Sequence, residues 1–256
     1  MAIVGVLHPG AMGSAVGAAL AAAGHRVLWA SEGRSAQTTQ RAAAAGMDDA
    51  GEVGALLARA EVVLSICPPH AALDVAAMAA GFEGIYVDAN AVSPQTARDA
   101  RALVGGRFVD GGIIGPPPVT HGTTRLYLSG DEAAGVAALF ADSPLEALVV
   151  EGEVGAASAL KMAYAAWTKG TAALLVALRA VARVNGVDDA LLAEWERSQP
   201  SLPVRSARAA ESTAGKAWRW EGEMREIAAT FAAAGQPDGF HLAAAEVFAG
   251  AVRASR

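Results

Sequence analysis

The opening residues constrain the fold of this chain more than any other segment. Residues 3–7 form a short apolar run, and a turn with Gly10 and Gly13 joins it to an alanine-rich stretch. This layout is typical of a strand that leads into a helix whose N-terminus binds phosphate, because glycine lets a ligand approach the free amides. A plain strand-to-helix turn without a ligand is the alternative. We expect these residues to bind a dinucleotide pyrophosphate: His8, Pro9, Gly10, Ala11, Met12 and Gly13.

Apolar runs and helical stretches alternate along the first 150 residues. The pattern predicts βαβ units and a mostly parallel sheet. Strands are expected at 4–7, 26–30, 62–66, 85–87, 107–109, 125–129 and 147–150. Helices are expected between them at 12–23, 36–45, 53–58, 71–80 and 94–103. The sequence therefore predicts an α/β fold that begins with a Rossmann-type, doubly wound sheet over residues 1–152.

The pattern changes after residue 152. Residues 155–185 are almost unbroken helix formers, and further helices are expected at 189–197, 204–211, 217–234 and 240–254. We therefore predict an all-helical second domain over residues 153–256, linked to the first by one long helix. This second domain would bind substrate and form a homodimer.

Composition excludes several other classes. The 256 residues are 53% hydrophobic and carry a net charge of -6, which argues against nucleic acid as a partner. Cys67 is the single cysteine, so an internal disulfide framework is ruled out and a reducing cytoplasm is expected. Cysteine and histidine do not cluster at metal-ligand spacing, and no apolar stretch predicts a membrane span. We expect no metal and a small-molecule substrate.

The end of the second strand bears on the choice of cofactor. An acidic residue there favours NAD, whereas small polar residues with an arginine accept the 2′-phosphate of NADP. The strand ends in Ala30 and Ser31, and Arg34 and Ser35 follow. Glu32 could turn inward and repel a phosphate. The segment predicts that Ser31, Arg34 and Ser35 bind NADP, with NAD as the less favoured alternative.

Residues after two later strands also face the expected cofactor crevice. Cys67, Pro68 and Pro69 follow the strand at 62–66, and Cys67 is best interpreted as a small buried residue rather than a reactive thiol. Asn90 follows the strand at 85–87 and could hydrogen-bond the nicotinamide or its ribose. The segment 110–118 is interpreted as a rigid, glycine- and proline-rich loop. These features extend the predicted cofactor site to Cys67, Pro68, Pro69 and Asn90.

Lys161 lies in the apolar stretch that predicts the long helix. Tyr164, Ala165 and Thr168 continue its helical face. A lysine on such a face is costly to bury, and lysines in such places donate or accept protons near neutral pH. The alternative is a lysine whose head group reaches water. We predict that Lys161 is the general acid or base and that Tyr164 and Thr168 orient the substrate or a water.

In order and spacing, these motifs resemble the β-hydroxyacid dehydrogenase and 6-phosphogluconate dehydrogenase superfamily, which includes imine reductases. The segment Gly10–Gly13 matches the family's Gly-x-Met-Gly, and 87–94 matches its Val-Asp-x-Ser-Thr-x-Ser-Pro. Gly152, Gly155 and Lys161 match the segment with the catalytic lysine. Residues 216–224 and 238–241 resemble the branch with a phosphogluconate-dehydrogenase-like C-terminal domain. The resemblance implies an NAD(P)-dependent hydride transfer to or from a small carbonyl or alcohol.

The chain departs from the family at three places. The family's Ser-Gly-Gly substrate loop falls on Ile114, Gly115 and Pro116, and its asparagine four residues after the lysine falls on Ala165. Its Ser-Thr pair falls on 90–91. Candidate substrate-binding residues are therefore Ile114 and Gly115, with Trp218 and Trp220 from a partner subunit or else in the core.

Two other functions are compatible with the sequence. An imine reductase-like enzyme usually replaces the lysine with an acid or a tyrosine, and Tyr164 keeps this interpretation open. A catalytically inactive dinucleotide-binding sensor would account for the missing serine and asparagine, although the retained Lys161 opposes it.

Overall fold

The structure is a computed structural model that describes residues 1–254. Its internal contacts divide the chain into two compact units, Met1–Lys161 and Met162–Arg256. The first unit contains a sheet with helices, and the second is helical throughout the part that is described.

The sheet of the first unit has eight strands in the order β3-β2-β1-β4-β5-β6-β7-β8. All neighbouring strands are parallel except β6 and β7, which are antiparallel. This parallel-dominated order confirms the predicted α/β class. The strands are β1 (Ile3–Val6), β2 (Arg26–Trp29), β3 (Asp48–Asp49), β4 (Val62–Ser65), β5 (Ile85–Asp88), β6 (Arg107–Ile114), β7 (Thr124–Ser129) and β8 (Leu145–Val149).

Helices cover both faces of this sheet. The helices are α1 (Ala11–Ala22), α2 (Ala36–Ala44), α3 (Val53–Leu57), α4 (Ala72–Met78), α5 (Pro94–Val104) and α6 (Ala133–Ala138). Apolar side chains of α1, α2 and α6 form one core with the sheet. Those of α3, α4 and α5 form a second core. Two separate cores fit a doubly wound sheet, as the sequence predicts.

Strand β6 corrects the sequence prediction for residues 110–118. Asp110 to Ile114 continue the strand and pair with β7, whereas the sequence indicated that a loop begins at residue 110. The glycines there serve close packing. A Cβ on Gly112 would lie 2.8 Å from the Cβ of Lys161 and 3.0 Å from the carbonyl oxygen of Ala157. Gly112 therefore lets a helix lie directly against the strand.

The sequence missed two short elements of the first unit. Strand β3 has only two residues, both exposed, so it has no apolar pattern to detect. Helix α6 lies between β7 and β8 and was not predicted. Strand β3 adds one strand to the sheet, and α6 adds one helix that packs on it, so the class of fold is unchanged.

The remaining helices are α7 (Ala156–Val184), α8 (Asp188–Ser198), α9 (Leu202–Ala233) and α10 (Gly239–Ala254). Helix α9 is one helix where the sequence predicted two, at 204–211 and 217–234. Its buried side chains recur every three or four positions through the expected break, from Ala209 and Thr213 to Ala217 and Trp220. Burial along this stripe outweighs the low helix propensity of Gly215.

Candidate active site

The turn between β1 and α1 presents the unsatisfied amides of a helix N-terminus. Gly10 is the N-cap residue, and no side chain caps the helix. The first turn also contains no acidic residue. Ser14 instead donates from its hydroxyl to the Gly10 carbonyl oxygen at 2.7 Å. The amides of the first turn have no partner inside the helix, so this end suits an anion.

Its two glycines are required for different reasons. A Cβ on Gly13 would lie 2.2 Å from the His8 carbonyl oxygen, so Gly13 allows α1 to pack on the end of β1. A Cβ on Gly10 would meet nothing within 4 Å, and its φ of -68° is open to any residue. Neither packing nor backbone conformation explains a glycine at position 10. The open space in front of it fits a closely approaching ligand.

His8 and Arg34 lie together beside this turn. The Arg34 Nη2 donates to the Leu7 carbonyl oxygen at 3.5 Å. Both the Nδ1 of His8 and the Nε of Arg34 are buried without a hydrogen-bond partner among the described residues. Burial, together with the neighbouring Arg34 guanidinium, lowers the pKa of His8 to about 4. Unpartnered buried nitrogens are rare, and two of them beside an open helix N-terminus fit a polar ligand.

The loop after β2 holds the other residues predicted to select the cofactor. Ser35 is the N-cap of α2, where its hydroxyl accepts from the Thr38 amide at 3.3 Å. Asp49, at the end of the neighbouring strand β3, escaped the sequence analysis because β3 is so short. The Gly51 amide and the Ser31 hydroxyl hold the pKa of the Asp49 carboxyl below its usual value. Ser31 therefore lies beside a carboxylate where β2 and β3 end.

Asn90 connects the ends of β4 and β5. Its Oδ1 accepts from the Cys67 amide at 2.6 Å, and its Nδ2 donates to the Ser65 hydroxyl at 3.0 Å. The backbone amide of Asn90 donates to Asp88 Oδ1 at 2.9 Å. The structure thus uses this buried asparagine to hold two strand ends together.

Cys67, Pro68 and Pro69 follow β4 in the predicted order. Burial raises the pKa of the Cys67 thiol to about 12, so this cysteine is a protonated, unreactive thiol at neutral pH. Pro68 precedes a single 3₁₀ turn that begins with the buried Pro69. The two prolines fix the chain as it leaves the sheet.

Lys161 lies near the start of α7 and reaches the end of β6. Its Nζ donates to the Ile113 carbonyl oxygen at 2.5 Å, and its side chain is partly buried. Because β1 and β6 point in the same direction, their carboxyl ends lie at the same edge of the sheet. The structure therefore places Lys161 at the edge that also holds the open turn of α1.

The other predicted catalytic and substrate residues differ in their surroundings. Ile114 is buried within β6, and Gly115 has a φ of 130° that favours glycine. Tyr164 and Thr168 belong to the second unit, where Tyr164 is exposed and Thr168 donates to a carbonyl of its own helix.

The two candidate tryptophans of α9 also lie in the second unit. Trp220 is only 9% exposed and packs edge-to-face on Phe248 with ring centroids 5.2 Å apart. Trp218 is 60% exposed. Trp220 is therefore a core residue, which was the alternative to a substrate-binding role. Of the two tryptophans, only Trp218 is exposed.

Two kinds of feature are absent from residues 1–254. No group of three or more His, Cys, Asp or Glu side chains there could hold a metal ion. No helix in this range is long and apolar enough to cross a membrane.

Comparison with known proteins finds a C-terminal domain match and several structures of similar fold. A domain of unknown function, DUF1932, matches residues 182–250. An uncharacterised 28.5 kDa protein of Methanothermus fervidus is 33% identical over 175 residues, which are 66% of this chain and 66% of that protein. The conserved protein MTH1747, whose structure resembles 3-hydroxyacid dehydrogenases, is 27% identical with a TM-score of 0.71 and covers 99% of both chains. These findings support the β-hydroxyacid dehydrogenase superfamily, in the branch with this C-terminal domain.

Two more distant structures share the fold. The 3-hydroxyisobutyrate dehydrogenase of Mycobacterium tuberculosis is 20% identical, with a TM-score of 0.69 over 98% of this chain and 93% of that one. The reductive aminase of Aspergillus terreus, in complex with NADPH and ethyl levulinate, is 18% identical, with a TM-score of 0.62 over 100% and 95%.

The partly buried His8 predicts a loss of stability in mild acid. Its pKa falls from 6.5 to about 4 on folding, so the unfolded chain binds the proton more readily between these values. The stability that depends on neutral His8 is present above pH 6.5 and is lost as the pH falls toward 4. Between pH 7 and 5, the wild type should lose about 1–2 kcal/mol more unfolding free energy than His8→Asn.

Urea unfolding at several pH values measures this difference. His121→Asn, which changes an exposed histidine, should keep the wild-type pH dependence. An identical loss in His8→Asn and wild type would show that His8 does not titrate as the structure indicates.

Proposed function

We propose that this protein is an NADP-dependent oxidoreductase that moves hydride between the nicotinamide and a small carbonyl or alcohol, with Lys161 as general acid or base. One observation carries the proposal. Lys161 is fixed on the Ile113 carbonyl at the sheet edge that also carries the open, uncapped turn of α1. An anion-binding turn and a proton-transferring group at one edge are what such a reaction requires.

The cofactor would lie along this edge. The first-turn amides of α1 would bind the pyrophosphate, and the space beside Gly10 would admit it. Arg34 supports NADP, because its buried Nε lacks a partner and a guanidinium suits a phosphate dianion. Asp49 lies close to Ser31 at the end of β2, and a carboxylate there favours NAD, the second cofactor candidate.

Lys161 would act on the oxygen of the substrate. NADP supplies or accepts the hydride when it is bound. An ammonium donates a proton to a carbonyl oxygen during reduction, and the neutral amine takes the proton from a hydroxyl during oxidation. The bond to Ile113 fixes the lysine Nζ, so the proton is held at a defined position.

The substrate loop supports a substrate other than a simple 3-hydroxy acid. Ile114 stands where the family has a serine, and it is buried in β6. The hydroxyl that would hold a carboxylate is therefore absent from this position. We propose that the backbone at Gly115, directly after the strand, is the part of this segment that meets the substrate.

An imine reductase-like activity is the second candidate. The shared fold with the Aspergillus terreus reductive aminase and the exposed Tyr164 favour it. The retained Lys161 favours carbonyl or alcohol chemistry instead. A sensor that binds the dinucleotide without turning over substrate is the third candidate.

We also propose that the protein is a homodimer. Large apolar side chains recur every three or four positions, or at seven-residue intervals, along one exposed stripe of α7: Tyr164, Trp167, Leu174, Leu178 and Val181. A stripe of this period is typical of a helix that packs on another helix. A second copy of the chain would bring a matching stripe to it.

The stripe can be tested by a single charge. Leu174→Glu should convert the dimer to a monomer, because an unpaired carboxylate is costly to bury in an apolar interface. Phe240→Glu changes another exposed apolar side chain, on α10, and should leave the mass unchanged. Light scattering at micromolar concentration gives the mass, and a monomeric wild type would refute the proposal.

Arg34 should decide the cofactor preference. Arg34→Ala should weaken NADPH binding by about 10–100-fold, because it removes a charge-assisted contact to the 2′-phosphate. NADH binding should barely change. The control is Arg59→Ala, which changes an exposed arginine three residues before β4, near the amino ends of the strands. Fluorescence titration measures both cofactors, and tighter binding of NADH than NADPH by the wild type would overturn the assignment.

Lys161 should be required for turnover but not for cofactor binding. In a panel of carbonyls and cyclic imines, Lys161→Met should lower kcat by about 10²–10⁴-fold, the usual range for removing a general acid or base. Lys216→Met, an exposed lysine on α9, should retain activity. NADPH oxidation at 340 nm follows the reaction. Unchanged turnover in Lys161→Met would refute the catalytic role of Lys161. NADPH binding without turnover by the wild type would instead favour the sensor.

A further inference from the structure

A row of buried polar side chains crosses four neighbouring strands of the sheet. The strand registers place Ser65 beside Asp88, Asp88 beside Asp110, and Asp110 beside Ser129. Side chains at paired positions point to the same face, so these four lie side by side. All four are almost completely buried. Buried polar groups at the end of a sheet need hydrogen-bond partners, and those of Asp110 come from β7 and from the start of α7.

The Asp110 carboxylate accepts four hydrogen bonds. Its Oδ2 accepts from the amides of Gly155 and Ser158, both at 2.9 Å, and from the Ser129 hydroxyl at 3.1 Å. Its Oδ1 accepts from the Ser158 hydroxyl at 2.5 Å. Ser129 in turn accepts from the Ala157 amide at 3.0 Å. Three backbone amides at the start of α7, those of Gly155, Ala157 and Ser158, thus donate to side chains of the sheet.

A carboxylate is well suited to this place. The first amides of a helix lack partners within the helix and carry a partial positive charge. A buried carboxylate is costly unless its oxygens are satisfied, and here four donors satisfy them. The sheet therefore supplies the N-terminal cap of α7, which fixes where this helix begins.

The same short stretch of β6 also touches Lys161. Gly112, two residues after Asp110 on the same face, allows the Lys161 Cβ to lie against the strand. Ile113 accepts from the Lys161 Nζ. Lys161 follows Ser158 by three residues, which is nearly one helical turn. Strand β6 thus holds the helix at Asp110 and the lysine at Ile113.

We propose that Asp110 is a positioning residue for Lys161, because its carboxylate fixes the first turn of α7 and thereby the position of the lysine Nζ at the end of β6. The inference rests on the proposed acid-base role of Lys161. Asp110 itself does not touch the reacting atoms. Ser129 and Ser158 act with it, since each contributes a hydroxyl to the same carboxylate.

Asp110→Asn tests the proposal with little change of shape. An amide keeps one acceptor oxygen but presents N–H donors to the donors of α7, so the helix start must shift. Lysine NMR reports the shift, because the chain has only three lysines: Lys161, Lys169 and Lys216. In protein labelled with ¹³C-lysine, the Cε signal of Lys161 is assigned by its loss in Lys161→Arg.

The expected result has two parts. The Lys161 signal should move toward that of the exposed Lys216 in Asp110→Asn, while the Lys216 signal stays in place. On any substrate that the wild type turns over, kcat should fall by about 100-fold, the cost of a displacement near 1 Å, with the NADPH dissociation constant unchanged. A residue that only stabilises the fold would lower the melting temperature without moving the signal of one lysine.

Milder variants keep the test decisive if Asp110→Asn does not fold. Ser158→Ala and Ser129→Ala each remove one hydroxyl from the carboxylate, and both should move the Lys161 signal in the same direction. Ser143→Ala removes a buried hydroxyl bonded to Leu145 and serves as the matched control, with the Lys161 signal unchanged.

A wild-type Lys161 signal in the folded variants would overturn the inference. Failure of the proposed function is a different result, in which the wild type turns over no carbonyl or imine. The NMR comparison needs no substrate, so the two failures are distinguishable.

Discussion

The candidate site depends on the contact between the first turn of α7 and the end of β6. Asp110 binds the amides of that turn, Gly112 gives the helix room, and Ile113 accepts from Lys161. Each of these contacts lies within the first unit. They bring a titratable side chain to the carboxyl edge of a parallel sheet, where ligands of such folds bind. Without this contact the lysine would be one more residue on a long helix.

Much of the fold could be predicted because its local patterns agree with its tertiary structure. Short apolar runs identified every described strand except the two-residue β3, and helix formers identified the helices between them except α6. The sequence pattern gave wrong predictions where tertiary packing, rather than local propensity, determines the secondary structure. The glycines of residues 111–112 indicated a loop, yet they lie in β6 because α7 approaches the strand closely. A break was predicted between residues 211 and 217, yet the buried stripe of α9 runs through these positions.

The site was predictable in part for the same reason. The turn at Gly10 and Gly13 and the lysine at position 161 have recognisable spacing, so both could be found from the sequence. Asp110 and Asp49 could not, because their roles arise from pairing between strands that are distant in sequence or very short. The structure also separates two glycines that look alike in sequence. Packing requires Gly13, whereas Gly10 faces open space that fits a ligand.

That distinction allows a direct test of dinucleotide binding at this turn. Wild type and Gly10→Ala are titrated with NADPH, and the fluorescence of the cofactor reports its binding. Gly10→Ala should keep the fold, since its Cβ meets nothing and a poorer N-cap costs at most about 1 kcal/mol. We predict that the wild type binds NADPH and that Gly10→Ala weakens binding by at least about tenfold, a difference of about 1.4 kcal/mol. Equal affinity in a folded Gly10→Ala, or no binding by the wild type, would contradict the claim that this turn holds a dinucleotide.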